Sequence, residues 1–230
     1  MKTPICHLVG AGSFCKELFL PEKEDFVIAC DGGLGHLLEN GFQPHLAVGD
    51  FDSFSGDPAA ALPTDRIVVL PKEKDDTDCL YALKLGLDRG YRRFLLHGSL
   101  GGDRFSHALA NLSLLAFLEK HGAEGALVGQ DLLVFRKSEG RLLFEKETAG
   151  YLSLFSAKQE ARIVLEGLKY DYSGILYDDT PIGVSNEFVG RPATVSVLDG
   201  AVTLVAEGQS DPLFFFKAAD RATENRGLKE

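Results

Sequence analysis

The acids most suited to chemistry stand in clusters: Asp31, Asp50-Phe51-Asp52 and Asp75-Asp76-Thr77-Asp78, each soon after a short apolar run. In extended backbone, residues two apart project to one side, which would set the Asp50 and Asp52 carboxylates together. Like charges held that close repel unless a cation lies between them, and an all-oxygen donor set suits Mg²⁺ better than a softer metal. An isolated Asp-x-Asp reads more readily as a solvated loop with Asx-turns. Joined to Asp31 and the 75–78 cluster, it favours a metal site drawn from Asp50, Asp52, Asp78 and Asp31. Thr77 and Asp78 also suit a helix N-cap and first-turn acid, but capping explains one acid there, not three.

The run Ser99-Leu100-Gly101-Gly102-Asp103-Arg104 brings small residues, and so free backbone N–H groups, to the start of a helical pattern, where a phosphate can be held. Arg104 can pair its planar guanidinium with phosphate oxygens. Asp103, His107 and Asn111, four residues apart, share one helix face. A Gly pair alone is usually a turn, and a lone His a surface residue; a nucleotide-facing stripe and a solvated face both fit these residues.

Strands must deliver these groups. Apolar runs at 5–9, 26–30, 46–48, 66–70, 94–97 and 126–128 read as buried strands, and 77–89 and 105–120 carry leucines at helical spacing. Strand–helix alternation implies right-handed crossovers and a mostly parallel sheet flanked by helices, whose ligands collect at the carboxyl ends of the strands. From about residue 132 the pattern changes to closely spaced strands, with Asp199-Gly200 placed as a two-residue hairpin turn between 194–198 and 201–205. The expectation is an α/β N-terminal domain over 1–130 and a C-terminal all-β sandwich over 131–230, the last dozen polar residues fraying.

Composition sets outer bounds. Hydrophobic residues make up 45% and charged residues 25% of 230, so a packed core is expected. The net charge of −10 disfavours nucleic acid and anionic membrane as partners. No apolar stretch is long enough to span a bilayer, and the N-terminus does not read as a signal peptide. Cys6, Cys15, Cys30 and Cys79 lack metal or disulfide spacing and suit buried free thiols in a reducing cytoplasm.

With these motifs in order, the sequence resembles the thiamine pyrophosphokinases: Asp31-Gly32-Gly33, Gly49-Asp50-Phe51-Asp52-Ser53, Lys74-Asp75-Asp76-Thr77-Asp78 and Gly101-Gly102-Asp103-Arg104-Phe105-Ser106-His107. In the second half, Gly167-Leu168-Lys169-Tyr170 and Gly183-Val184-Ser185-Asn186-Glu187 look like that family's thiamine-side motif. The pattern departs at Ser106, where the family commonly has Asp. The resemblance implies a catalytic α/β domain, a β-sandwich that binds thiamine and dimerises, and a homodimer whose active sites lie between subunits. It also implies transfer of the β,γ-pyrophosphoryl unit of ATP to the thiamine hydroxyl, with Mg²⁺ as cofactor. On that basis Asp50, Asp52 and Asp78 are catalytic acids and, with Asp31, the metal set, Asp52 or Asp78 being the candidate to accept the hydroxyl proton. Thr77, Gly101, Gly102, Arg104, His107 and Asn111 fall on the ATP side, and Tyr170, Ser185 and Asn186 on the thiamine side. A Mg²⁺-dependent phosphohydrolase using an aspartyl phosphate, and a non-catalytic thiamine- or nucleotide-binding protein, are the competing expectations.

Overall fold

The computed structural model describes residues 3–102 and 104–227. The chain divides into two compact units, Met1–Gln130 and Asp131–Glu230. In the first, β1 (Ile5–Val9), β2 (Phe26–Cys30), β3 (Leu46–Gly49), β4 (Ile67–Val69), β5 (Arg93–His97) and β6 (Glu124–Val128) form a parallel sheet in the order β4-β3-β2-β1-β5-β6. The strands stand within two residues of their expected limits. Between them lie α1 (Gly33–Glu39), the short α2 (Pro58–Ala61), α3 (Asp78–Asp88) and α4 (Phe105–Lys120). Thr77 caps α3, its hydroxyl accepting from the N–H of Leu80 at 3.2 Å.

Helices cover both faces of the sheet. Leu34 and Leu37 of α1 join Val9, Val27, Ala29 and Ala47 in one core cluster, while Gly86 of α3 lies against Cys6 and Phe94 on the other side. Helix α1 was not among the expected helices, since its glycines give it poor propensity; burial of Leu34 and Leu37 holds it. Cys6 and Cys30 are buried as foreseen, whereas Cys15 and Cys79 are half-exposed; all four thiols are free.

Beneath the β1–β5 junction three polar residues are sealed in a chain. His7 Nε2 lies 3.3 Å from Asp25 Oδ2, and His7 Nδ1 lies 3.2 Å from His97 Nε2. His7 and His97 are 2% and 1% exposed. A carboxylate only accepts, so His7 donates through Nε2 and His97 through Nε2, leaving His97 Nδ1 as the bare acceptor; that atom is indeed buried without a partner. Burial, reinforced by His7, holds the His97 pKa well below the usual imidazole range. The unfolded chain therefore binds a proton that the folded one refuses, so the contribution of His97 is intact above about pH 6.5 and is lost as the pH falls below it. Partial burial and Arg66 lower His45 in the same direction. The melting temperature is expected to fall steadily from pH 7 to pH 5, with a shallower fall in His97→Gln. Equal slopes for the two proteins would contradict this.

The second unit comprises β7 (Leu132–Phe144), β8 (Tyr151–Ser156), β9 (Glu160–Glu166), β10 (Tyr172–Tyr177), the two-residue β11 (Asn186–Glu187), β12 (Ala193–Glu207) and a terminal helix α5 (Phe214–Gly227). It is β-rich as expected, with inward residues alternating along β9 as Ala161, Ile163 and Leu165. Three details differ. First, β12 is one long strand and not a hairpin: Val197 pairs with Gly140 and Ala201 with Ser138, so residues 198–200 stand opposite Glu139 alone. Asp199-Gly200 makes a bulge there, and the bend lets one half of β12 pair with β9 and the other with β8. Second, residues 132–144, at the start of the stretch where closely spaced strands are expected, form the single strand β7. Third, the polar tail is helical to Gly227, because Phe214 and Phe215 anchor it by stacking on Phe144 and Phe135. The unit is thus β-rich with one helix, not all-β.

Candidate active site

In the first unit the chain runs outward from β1 through β2, β3 and β4 and, after returning, outward through β5 and β6 on the other side. The junction of β1 and β5 is therefore the switch point, where ligands settle beyond the strand ends. The two exit loops are laced together: Gly12 N–H donates to Gly98 O at 2.8 Å and Ser13 N–H to Leu100 O at 2.9 Å. Gly98 has φ 57°, and a Cβ there would lie 2.2 Å from Gly10 O, so neither loop has room for a side chain. A cleft of about 640 Å³ opens above this lacing, within the range of small-molecule sites. It is lined by Asp31, Thr77, Asp78, Gly101, Gly102, Arg104, His107 and Asn111 among others, so every residue expected on the ATP side borders one cavity.

Asp31, Asp50 and Asp78, from three strand ends, each place an oxygen within 4.8 Å of the others. Gly49 permits this approach, because a Cβ on it would stand 3.0 Å from Asp31 Cα. Asp31 itself has φ 49° and its Oδ1 is buried without a hydrogen-bond partner. Like charges at such spacing cost roughly 3 kcal/mol per pair at an effective dielectric near 20, so a cation is called for. Lys74 supplies part of the compensation. Its Nζ lies 3.0 Å from Asp78 Oδ1, a contact outside hydrogen-bond geometry, and 3.7 Å from Asp50 Oδ2. Burial raises the Asp78 pKa; Lys74 opposes that shift, and Asp31 and Asp50 add to it. Lys74, to which the sequence assigns no role, stands in the loop before α3, so no helical spacing marks its pairing with Asp78.

Asp52 is not in this group. Phe51 has φ 58°, so the Asp50-Phe51-Asp52 backbone is not extended and the expected parallel projection of two carboxylates does not form. Instead Asp52 N–H donates to Asp50 Oδ1 at 3.3 Å in an Asx-like turn, and Asp52 is exposed. Asn111 donates through Nδ2 to Ser99 O at 2.8 Å, fixing the loop before α4, and Arg104 Nη1 lies 3.4 Å from His107 Nε2. Asp103, expected on the same stripe, lies outside the described residues. Ser106 is exposed and does not border the cleft. His36, which sequence reasoning passed over, donates from Nε2 to Gly12 O at 2.9 Å and stacks on Phe14. No spacing rule marks it, because its partner is a backbone oxygen 24 residues away.

In the second unit Tyr170 is 63% exposed and Ser185 sits at φ 58°, its N–H donating to Ser153 Oγ at 3.0 Å. Asn186 does not face solvent; it is 7% exposed and bonded to the backbone of Tyr170. Asp31, Phe51 and Ser185 are the non-glycine residues with positive φ among those described, and all three fall in the singled-out motifs. Backbone strain of this kind gathers at working sites.

Comparison with known proteins decides the family. The model for the thiamin pyrophosphokinase catalytic domain matches residues 19–126, and that for the thiamin pyrophosphokinase vitamin B1 binding domain matches residues 140–202. The chain belongs to the thiamin pyrophosphokinase family. A curated thiamine pyrophosphokinase from Bacillus subtilis (strain 168) is 27% identical over 183 residues, which is 77% of this chain and 85% of its own. A solved thiamin pyrophosphokinase from Geobacillus thermodenitrificans is 26% identical with a TM-score of 0.76, covering 91% of this chain and all of the other. The solved Bacillus subtilis enzyme, 23% identical, has a TM-score of 0.77 over 89% of this chain and 99% of its own, which speaks to the fold. Family membership makes the chain a thiamine diphosphokinase-type transferase. Neither the phosphohydrolase nor the non-catalytic reading finds support in these matches.

Proposed function

We propose that the chain transfers the β,γ-pyrophosphoryl unit of ATP to the primary hydroxyl of thiamine, forming thiamine diphosphate and AMP. The observation that carries this reading is the convergence of Asp31, Asp50 and Asp78 beside a cleft whose far wall is the Gly101-Gly102 loop and the start of α4. The donors fit Mg²⁺: they are carboxylates brought together from three strand ends, and Asp31 Oδ1 is buried without a hydrogen-bond partner. Asp31, Asp50 and Asp78 would hold the ion, which when bound supplies positive charge to the polyphosphate.

The chain's own groups do the rest. Arg104 and the N–H groups opening α4, which has no side-chain cap, hold phosphate oxygens, and Thr77 adds a hydroxyl. His107 and Asn111 border the nucleotide. The thiamine oxygen attacks the β-phosphorus, the bond from that phosphorus to the AMP oxygen breaks, and the alcohol proton passes to a carboxylate. Asp52, standing outside the three-carboxylate group, is the candidate for that role. Tyr170, Ser185 and Asn186 serve thiamine. The unit carrying them pairs with a second copy, and the enzyme works in the cytoplasm, in keeping with its free thiols; none of the described helices is long and apolar enough to cross a membrane. Purified protein with ATP, Mg²⁺ and thiamine is expected to yield AMP and thiamine diphosphate in equal amounts, and neither in EDTA. Phosphate release without AMP would refute the reading.

A further inference from the structure

Asn186 is spent within the protein. Its Oδ1 accepts from the N–H of Tyr170 at 3.0 Å and from the N–H of Glu187 at 2.9 Å, and its Nδ2 donates to Tyr170 O at 2.7 Å. A carboxamide has two acceptor positions and two donors. Both acceptor positions and one donor are used, so a ligand could claim one N–H at most from a side chain already 7% exposed.

The surroundings explain why an amide stands here. Leu168 forms an antiparallel bridge with Phe188, and Lys169 N–H donates to Glu187 O at 2.9 Å. One residue further along, the segment that precedes β10 leaves its partner, and the ladder has no peptide group left to offer Tyr170. The Asn186 carboxamide has the same donor and acceptor as a peptide, and it meets both the N–H and the C=O of Tyr170. The two chains are thus paired for one residue beyond the backbone ladder. Tyr170 has a fixed backbone but a ring that remains 63% exposed, attended by Lys169 Nζ at 5.9 Å from its centroid.

From this geometry we infer that Asn186 is a positioning residue: it acts on thiamine through Tyr170, whose ring it presents, and not by contact of its own amide with the substrate. The inference rests on the thiamine-side reading of Tyr170 given above. Fixing one backbone position removes the freedom that binding would otherwise have to quench, so its loss falls on substrate affinity for the group Tyr170 meets.

A double-mutant cycle separates the two roles. Asn186→Ala is expected to raise the KM for thiamine roughly tenfold with the KM for ATP unchanged. In a Tyr170→Ala background the same substitution is expected to change the thiamine KM less than about twofold, because residues acting through one another are not additive. Factors that multiply in the double variant would overturn the inference. The clamp itself is read without activity: the chain contains no tryptophan, so Tyr170→Trp gives a sole reporter whose emission anisotropy should fall when Asn186→Ala is added. An unmoved reporter overturns the inference whatever the kinetics. No effect of Tyr170→Ala on the thiamine KM, with the reporter released, instead overturns the thiamine-side reading and with it the inferred effect on substrate. Should Asn186→Ala not fold, Asn186→Asp keeps both Oδ1 roles but replaces the donor to Tyr170 O with a charged oxygen that repels it; it is expected to raise the thiamine KM and release the reporter, and wild-type values for both would overturn the inference.

Discussion

Asp50→Asn and Asp78→Asn each lower kcat at least roughly a hundredfold while the protein stays folded. Each substitution keeps the shape of the side chain and removes one negative charge from a group whose oxygens lie within 4.8 Å of one another. In Asp50→Asn the relief of repulsion from two neighbouring carboxylates outweighs the loss of the longer 3.7 Å contact to Lys74, so its melting temperature should not fall; Asp78→Asn gives up the closer ion pair to Lys74 and its place in the first turn of α3. The opposite signs on stability and activity are the mark of a cation site, since acids kept for structure would lose both together. Asp52→Asn, outside the cluster, should spare cation affinity and act on kcat alone. Measured Mn²⁺ affinity, kcat and thermal melts on the three variants check this, and near-normal turnover in Asp50→Asn would remove the metal assignment.

The second large effect is on folding. In Gly98→Ala the added methyl must occupy a point 2.2 Å from Gly10 O in a backbone at φ 57°, so β1 and β5 cannot keep their exit loops laced. The left-handed conformation alone costs about 1–2 kcal/mol, and the collision takes the total to several. Gly122→Ala is the matched control: it has φ 66° but nothing within 4 Å of the new carbon, so it incurs only the conformational cost. Thermal melts of the two are expected to differ widely, with Gly98→Ala losing nucleotide binding as well. Equal losses would mean that the lacing of the two loops contributes nothing.

Much of the first unit was legible because buried parallel strands announce themselves as short apolar runs ended by Gly, Asp or Pro, and the runs that form β2, β3 and β4 placed their following acids at the same edge of the sheet. Legibility failed where one local signal serves two structures. Asp199-Gly200 supplies a residue that tolerates positive φ, which a hairpin turn and a bulge in a long strand both need, and only the pairing of β12 with three neighbours distinguishes them. Likewise Gly33-Leu34-Gly35 has the composition of a turn, and the helix it forms is decided by the pocket that receives Leu34 and Leu37.

The site shows the same division. Residue types at strand ends named Asp31, Asp50 and Asp78, but the dihedral of Phe51 set Asp52 apart, and no pattern of side chains foretells an aromatic at φ 58°. Lys74 stands in the loop before α3, where helical spacing carries no signal for its pairing with Asp78. His36 could not be found either, since it bonds to backbone 24 residues away, and Asn186, though named on the thiamine side, gave no sign in sequence that its amide is spent on the Tyr170 backbone, because such contacts leave no periodicity.

The central claim is that a pyrophosphoryl unit moves intact, and ATP labelled at its γ-phosphorus tests it most directly. With thiamine and Mg²⁺ present, the label is expected in thiamine diphosphate, in amounts equal to the AMP formed. Label appearing in inorganic phosphate, with ADP and no labelled thiamine diphosphate, would contradict the account.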